Sequence, residues 1–135
     1  MKKLLQKIIS KNCKIFIAGC GYTGLPLAKS ISDKKIKTFG FDINLKLINK
    51  LKNKYSNRYL TFTNKINYIS KADIILIALP TPLTKNYDPD LSYIQSFLNA
   101  GKKYLKKNQI LILESTSYPG TTTEIIRPMI EKKFK

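Results

Sequence analysis

Three glycines with the spacing of a phosphate-binding turn are the first residues here that suggest a chemistry. Gly19, Gly21 and Gly24 form a Gly-x-Gly-x-x-Gly pattern between an apolar run and an amphipathic stretch. In this pattern the first glycine permits a tight turn, the second lets a pyrophosphate approach the backbone, and the third lets a helix pack closely on a strand. Asp42 follows 18 residues after Gly24, where a carboxylate can accept hydrogen bonds from ribose hydroxyls. The set predicts a dinucleotide site, and the carboxylate favours NAD over NADP because it repels a 2′-phosphate.

Two further loops carry hydroxyl groups that could complete such a site. Thr81 lies between two prolines after an apolar run, and it can offer a hydroxyl and a backbone N–H to a nicotinamide ribose or phosphate. The segment 114–122 follows the next apolar run, and its hydroxyls can position water or substrate beside the nicotinamide. Turn chemistry explains both segments equally well, because prolines end strands and Pro119-Gly120 is a turn pair. Local sequence alone leaves both interpretations open.

The elements that must hold these loops alternate along the chain. Strands are predicted at residues 14–18, 37–41, 60–63 (an edge strand), 73–79 and 109–113. Helical patterns are predicted at 1–11, 25–32, 43–51, around 66–69, at 91–105 with Asp90 as N-cap, and from a capping box at Thr121–Glu124. Strands that alternate with helices predict an α/β fold, a Rossmann-type doubly wound parallel sheet of about five strands with helices on both faces. Ligands bind outside the carboxyl ends of such strands, where the loops described above would meet.

Length and charge limit the classes of protein to consider. The 135 residues show no repeat, linker or composition break, so one domain, 1–135, is predicted. The net charge of +17 suggests nucleic acid or an anionic membrane as partner, but 23 of the 25 cations are lysines spread along the whole chain. Lysine, isoleucine and asparagine share A/T-rich codons, which explains much of this charge. We therefore expect neither a specific nucleic-acid partner nor a membrane partner; a basic interaction protein, with lysines on one face, is the alternative.

The reactive side chains exclude several chemistries. The chain has no histidine and two cysteines, Cys13 and Cys20, so histidine-dependent triads are excluded and no metal site is expected. Neither cysteine has a visible base beside it, and both are predicted to be non-catalytic. Two thiols in a chain without a signal-peptide pattern indicate a reduced, cytoplasmic protein. No Gly-Lys-Ser/Thr follows the glycine turn, which excludes a P-loop, whereas a methyltransferase remains a minor alternative.

Five segments together resemble the UDP-glucose/GDP-mannose dehydrogenase family, and within it the UDP-N-acetylglucosamine 6-dehydrogenase branch of bacterial polysaccharide biosynthesis. They span nearly the whole chain in order: GCGYTGLPLA (19–28), GFDI (40–43), LPTPL (79–83), DPDLSY (88–93) and LESTSYPGTT (113–122). The resemblance implies an NAD-dependent enzyme that oxidises the C6 alcohol of a UDP-sugar to a carboxylate with two NAD. In that reaction a cysteine thiol captures the aldehyde, and the resulting thioester is hydrolysed.

The resemblance also implies roles for individual residues. The residues implied to hold NAD are Gly19, Cys20, Gly21, Tyr22, Thr23, Gly24, Asp42, Thr81 and Thr116. The hydroxyl of Thr116 is the one catalytic candidate, as the group that holds the water used in hydrolysis.

Two departures from the family pattern qualify this expectation. The segment between residues 52 and 63 is shorter than in the family, and no counterpart of the later motifs follows before Lys135. Those motifs contain the catalytic glutamate, lysine and cysteine and the sugar-nucleotide domain. We therefore expect the cofactor domain alone, as a fragment or one part of a split protein. Its expected partners are a UDP-sugar and a further chain, either a different one or a second copy. The alternative is a degenerate dinucleotide-binding module without activity of its own.

Overall fold

Five parallel strands form one sheet in a computed structural model that describes residues 2–132 and 134. The strands are β1 (Lys14–Ala18), β2 (Lys37–Phe41), β3 (Leu60–Thr63), β4 (Ile74–Ile77) and β5 (Ile110–Leu113). Their order across the sheet is β3-β2-β1-β4-β5, and all four neighbouring pairs are parallel. The chain therefore reverses its direction of travel across the sheet after β3, which creates a crevice at the carboxyl ends of β1 and β4.

Helices connect these strands. The α-helices are α1 (Lys2–Ile9), α2 (Gly24–Asp33), α3 (Leu45–Lys54), α4 (Ser92–Gly101) and α5 (Arg127–Glu131). Short 3-10 helices span Ile66–Lys71 and Lys102–Tyr104, and a π-helical turn spans Thr121–Ile126. Among the described residues, no helix is both long and apolar enough to cross a membrane.

Alternating side chains of the central strands bury both faces of the sheet. Phe16 of β1 points into the larger cluster, where residues of α4 such as Phe97 cover the sheet. Ile15 and Ile17 point to the opposite face, where Ala28 of α2 packs against them. The predicted doubly wound sheet, with helices on both faces, is confirmed.

The β5 edge is covered less completely. Leu111 and Leu113 pack against the larger core cluster, but Ile110 and Ile112 are 40% and 37% exposed on the other face. β5 pairs with β4 alone in the described part of the chain, so its outer backbone groups face outwards. An apolar strand edge of this kind is open to pairing with additional polypeptide.

Two predicted elements end earlier than the sequence pattern indicated. The strand predicted at 73–79 is limited to Ile74–Ile77, because its neighbour β1 ends at Ala18, where Gly19 turns the backbone with a φ of +95°. The helix predicted at 91–105 ends at Gly101 and continues as a 3-10 turn, in keeping with the low helix propensity of glycine. Asp90, predicted as its N-cap, lies one residue before the cap position and still accepts the N–H of Ser92 at 2.8 Å.

Two predictions about helix starts are wrong. The helix predicted at 43–51 begins only at Leu45, and Ile43 lies before it with 81% of its surface exposed. The capping box does not form either. The Thr121 hydroxyl donates to the carbonyl of Tyr118 at 2.7 Å, while the N–H of Glu124 donates to the carbonyl of Gly120.

Candidate cofactor-binding site

The glycine turn between β1 and α2 is built so tightly that two of its positions exclude any side chain. A Cβ at Gly19 would lie 2.5 Å from the carbonyl oxygen of Ala78, and the φ of +95° disfavours other residues as well. A Cβ at Gly24 would lie 1.8 Å from the carbonyl oxygen of Gly19. These contacts bring the first turn of α2 directly onto the end of β1, as the sequence pattern predicted.

Gly21 has the opposite environment. A Cβ at this position would meet no heavy atom within 4 Å, so the backbone here borders open space. Within the described chain, the N–H groups of Gly21, Tyr22 and Thr23 donate to no backbone or side-chain acceptor. Three free donors beside the N-terminus of α2 form an environment that favours an anion such as a phosphate.

Asp42 fixes the position of this turn relative to the next helix. One carboxylate oxygen accepts the N–H of Cys20 at 3.0 Å, and the other accepts the N–H of Asn44 at 2.9 Å. The Asn44 side chain in turn accepts the N–H of Leu47 at 3.1 Å and caps α3. Each carboxylate oxygen can accept more than one hydrogen bond, so Asp42 retains acceptor capacity toward the cavity that it lines.

A cavity of about 680 Å³ opens at the carboxyl ends of the strands. This volume falls within the range of roughly 300–1,000 Å³ typical of small-molecule sites. Asp42 is the one charged residue among the described residues that line it. The lining consists of Gly19, Gly21, Tyr22, Thr23, Phe41, Asp42, Ile43, Ile66, Ala78, Leu79, Pro80, Tyr93, Ser96, Phe97 and Ala100.

The cavity combines a polar end with an apolar remainder. The glycine turn and Asp42 supply hydrogen-bond donors and a carboxylate, whereas Ile43, Leu79 and Phe97 supply apolar surface. A dinucleotide has the matching composition, with phosphates and ribose hydroxyls beside flat aromatic bases. The residues present therefore fit such a cofactor.

Cys20 lies in the turn, but its side chain points away from the cavity. The thiol is buried in a cluster with Ile48, Leu51 and Phe62. Burial, together with the charge of Asp42, raises the pKa of Cys20 to about 12. A nucleophilic cysteine needs the opposite shift. Burial also raises the pKa of Cys13, and both thiols are thus chemically protected.

Thr81 and Thr116, predicted at the nicotinamide end, are brought together but do not line the cavity. The Thr81 hydroxyl donates to the carbonyl oxygen of Thr116 at 2.7 Å. Beside them, the Ser115 hydroxyl donates to the carbonyl oxygen of Leu79 at 2.6 Å. These two bonds join the loops that follow β4 and β5. Both threonines thus lie in joined loops outside the lining of the cavity.

The apolar walls are the part of the site that the sequence analysis missed. Tyr93, Ser96, Phe97 and Ala100 repeat at three- and four-residue intervals along α4, and this spacing is that of any helix packed on a core. Ile43 is the apolar lining residue that could have been predicted, because it directly follows Asp42 in the sequence. The helical pattern at 43–51 instead predicts Ile43 as part of the helix after β2.

Comparison with known proteins identifies the family of this chain. Residues 49–135 match the family model described as "UDP-glucose/GDP-mannose dehydrogenase family, NAD binding domain". The chain belongs to this family. The resemblance predicted from the sequence is thereby confirmed, and NAD is the cofactor that the family domain binds.

Two curated relatives and one solved structure illustrate the match. Protein CapL of Staphylococcus aureus is 37% identical over 132 residues, which cover 90% of this chain and 31% of CapL. UDP-N-acetyl-D-glucosamine 6-dehydrogenase of Pseudomonas aeruginosa is 34% identical over 134 residues, which cover 90% of this chain and 32% of that enzyme. The UDP-N-acetyl-mannosamine dehydrogenase Cap5O of Staphylococcus aureus superposes with a TM-score of 0.80 at 26% identity, covering 90% of this chain and 33% of its own. The chain thus spans about a third of the length of the curated relatives that it matches.

Proposed function

We propose that the cavity at the carboxyl ends of β1, β2 and β4 binds NAD through the residues that the sequence analysis selected. The observation that carries this proposal is the glycine turn, where two glycines are sterically required and the third leaves open space in front of free N–H groups. These groups would hold the pyrophosphate, with Tyr22 and Thr23 contributing at the start of α2. A turn kept only for folding would need the tight contacts but not the open space. The intact turn also argues against a degenerate module.

Asp42 would accept hydrogen bonds from the adenosine ribose hydroxyls. Its carboxylate is already held by two backbone N–H groups, so it is oriented before the cofactor arrives. No cation is found among the described lining residues, and a 2′-phosphate would therefore meet a carboxylate without compensation. Ile43 would offer apolar surface to the adenine next to this ribose. The site is therefore proposed to select NAD over NADP.

Thr81 and Thr116 would serve the nicotinamide end. Bound NAD supplies a hydride acceptor, and the loops that follow β4 and β5 would orient it at the rim of the crevice. The Thr81 hydroxyl donates to Thr116 and keeps acceptor capacity of its own, while the Thr116 hydroxyl is exposed and free to hold a water molecule. Thr116 is therefore proposed as the residue that positions water for hydrolysis.

The reaction served by this domain is proposed to be the oxidation of the C6 alcohol of a UDP-sugar, such as UDP-N-acetylglucosamine, to the carboxylate. This oxidation removes four electrons, which corresponds to two NAD. Its second half needs an accessible thiol nucleophile, whereas Cys13 and Cys20 are both buried. A second copy of the chain would bring only the same two buried thiols. Further polypeptide of different sequence would therefore have to supply the thiol and hold the sugar. The described chain contributes the cofactor site.

A titration with NAD and NADP tests cofactor binding. The unmodified chain is expected to prefer NAD, and Asp42→Asn is expected to weaken NAD binding by about 1–3 kcal/mol and to narrow the preference. Asp88→Asn, in the exposed loop before α4, removes the same charge outside the cavity and should leave both affinities unchanged. Equal affinities of the unmodified chain for the two cofactors would contradict the role of Asp42.

An assay of NADH formation tests whether this chain supplies the cofactor site alone or can also oxidise the sugar. The purified chain with NAD and either UDP-N-acetylglucosamine or UDP-glucose is expected to form no NADH. Positioning of reactants is worth roughly 7–11 kcal/mol of barrier, and the elements that position the sugar are expected in other polypeptide. Sugar-dependent NADH formed by the chain alone, and abolished by Thr116→Ala, would show that the chemistry resides in this domain.

A further inference from the structure

The segments that lead into the strands carry a concentration of positive charge. In a parallel sheet these segments all lie at the amino edge, opposite the cavity. They contain six cations, all with exposed side chains: Lys11, Lys34, Lys35, Arg58, Lys106 and Lys107. Asp73 is the one acidic residue among these described segments, and Lys7 forms an ion pair with it.

The segments that leave the strands have the opposite balance. At the carboxyl edge, acidic residues outnumber cations by four to two. The cations are Lys65 and Lys85, and the acidic residues are Asp42, Asp88, Asp90 and Glu114. The cations of the amino edge look scattered in the sequence because the segments before four of the five strands, all but β4, each contain one or two of them. The parallel topology gathers them at one edge, which is the clustering that a spread along the chain concealed.

Helix α1 lies at the same amino edge. Lys7 on this helix binds Asp73, which directly precedes β4, and the N–H groups of Asn12 and Cys13 donate to the carbonyl of Lys7. No residue of α1 is buried, and Leu5 and Ile9 are 58% and 73% exposed. The helix thus presents apolar side chains on a surface where cations outnumber the acidic residues, Asp33 and Asp73.

We propose that this amino edge is a docking surface for an anionic lipid bilayer. The cations would lie against the lipid headgroups, while Leu5 and Ile9 would enter the boundary between the headgroups and the acyl chains. Basic amphipathic helices bind membranes by this combination of charge and apolar burial. A nucleic acid would use the cations in the same way but would gain nothing from exposed aliphatic side chains, and the bilayer is therefore the better match.

This orientation leaves the cofactor site accessible. The five residues of β1 separate the two edges by roughly 16 Å. That distance exceeds the Debye length of about 8 Å at physiological ionic strength, so membrane charge would be screened at the cavity. The domain would bind the bilayer with one edge and its cofactor with the other. The proposal is independent of the cofactor assignment and of any sugar substrate.

Sedimentation with phosphatidylcholine vesicles, with and without phosphatidylserine, tests the proposal at about 0.15 M salt. The chain is expected to bind only the vesicles that contain phosphatidylserine. The double variant Lys34→Gln, Lys35→Gln should weaken this binding about 30-fold, because each removed charge lowers the affinity roughly fivefold and the two effects multiply. The matched control, Lys65→Gln with Lys85→Gln, removes the same charge from the carboxyl edge and should change binding less than about twofold.

A second pair of variants tests the apolar contribution. Leu5→Gln with Ile9→Gln should weaken binding by about tenfold or more, whereas Leu45→Gln with Leu83→Gln, exposed at the carboxyl edge, should have little effect. Circular dichroism and thermal unfolding establish that all variants remain folded. Equal losses from the two lysine pairs would overturn the proposal, because net charge alone would then explain binding. So would binding to duplex DNA with the same lysine dependence and no effect of the Leu5 and Ile9 substitutions, which would identify a nucleic-acid surface.

Discussion

Replacing Gly21 by alanine changes the candidate cavity without disturbing the backbone around it. The added Cβ meets no heavy atom within 4 Å, and the backbone there does not adopt a left-handed conformation. Stability should therefore stay unchanged or rise by about 0.4–1 kcal/mol, because alanine restricts the unfolded chain more than glycine does. The methyl group would nevertheless occupy part of the cavity that Gly21 lines, where the pyrophosphate is proposed to bind.

The expected loss of NAD affinity follows from those N–H groups. A hydrogen bond to a charged acceptor contributes about 1.5–3 kcal/mol. Displacing the pyrophosphate far enough to break one such bond corresponds to roughly a 10- to 150-fold rise in Kd. Gly24→Ala provides the contrast, because its Cβ would lie 1.8 Å from the Gly19 carbonyl oxygen and should destabilise the fold by about 3 kcal/mol or more.

Two measurements on the same protein samples test whether Gly21→Ala weakens NAD binding without lowering stability. Denaturant unfolding without ligand gives the stability of each variant, and isothermal titration with NAD gives the affinity. We expect Gly21→Ala to be as stable as the unmodified chain and to bind NAD much more weakly. Unchanged NAD affinity in a folded Gly21→Ala variant would refute the placement of the pyrophosphate. Unfolding of this variant would refute the assignment of open space at Gly21.

Three further outcomes follow from other parts of the structure. Hydrogen bonds from Lys7 and the Lys14 N–H outweigh partial burial and lower the pKa of Asp73, so its contribution to stability is present at neutral pH and is lost as pH falls through that lowered pKa. Asp73→Asn should thus cost about 1 kcal/mol at neutral pH, since Lys7 is partly exposed, and its effect on urea unfolding should vanish in acid; a constant difference would contradict this. Neither thiol should react rapidly with an aromatic disulfide reagent at mild alkaline pH until denaturant is added, because both are buried; a fast-reacting thiol in the folded chain would exclude the burial described. Gly40→Ala should destabilise the chain by about 1–3 kcal/mol in thermal unfolding, since its Cβ would press on the ring of Phe62 at 2.9 Å, and an unchanged melting temperature would show that the ring moves aside freely.

The strands were predictable because strong local signals set their limits. β1, β2 and β3 have the bounds that the sequence indicated, since each lies between turn residues and an apolar alternation. β4 is shorter than its apolar run because its length is set by β1, a neighbour that is distant in sequence. The π-helical turn at Thr121–Ile126 was not predictable either. It begins directly after Gly120, which has a left-handed backbone, and the Thr121 hydroxyl donates to the carbonyl of Tyr118 where the capping box would have used it.

The polar half of the candidate site was predictable, and its apolar half was not. The glycine turn and Asp42 are recognisable because their residue types and spacing are specific to phosphate and ribose contacts. The residues of α4 that line the cavity have the spacing of any core-facing helix, so nothing local distinguishes cavity from core. The cluster of cations at the amino edge was not predictable for a related reason. It arises because the parallel topology brings distant segments to one edge, and no single segment shows it.

The walls of the cavity come from distant parts of the chain, and this has a consequence for the order of events during synthesis. The glycine turn is made first, but the opposite wall on α4 extends to Ala100, and pairing of β1 with β4 must bring the two together. A nascent chain therefore lacks a complete pocket until most of this domain has left the ribosome. Cofactor capture is then a late event, and free NAD can stabilise the finished domain but cannot guide its early folding.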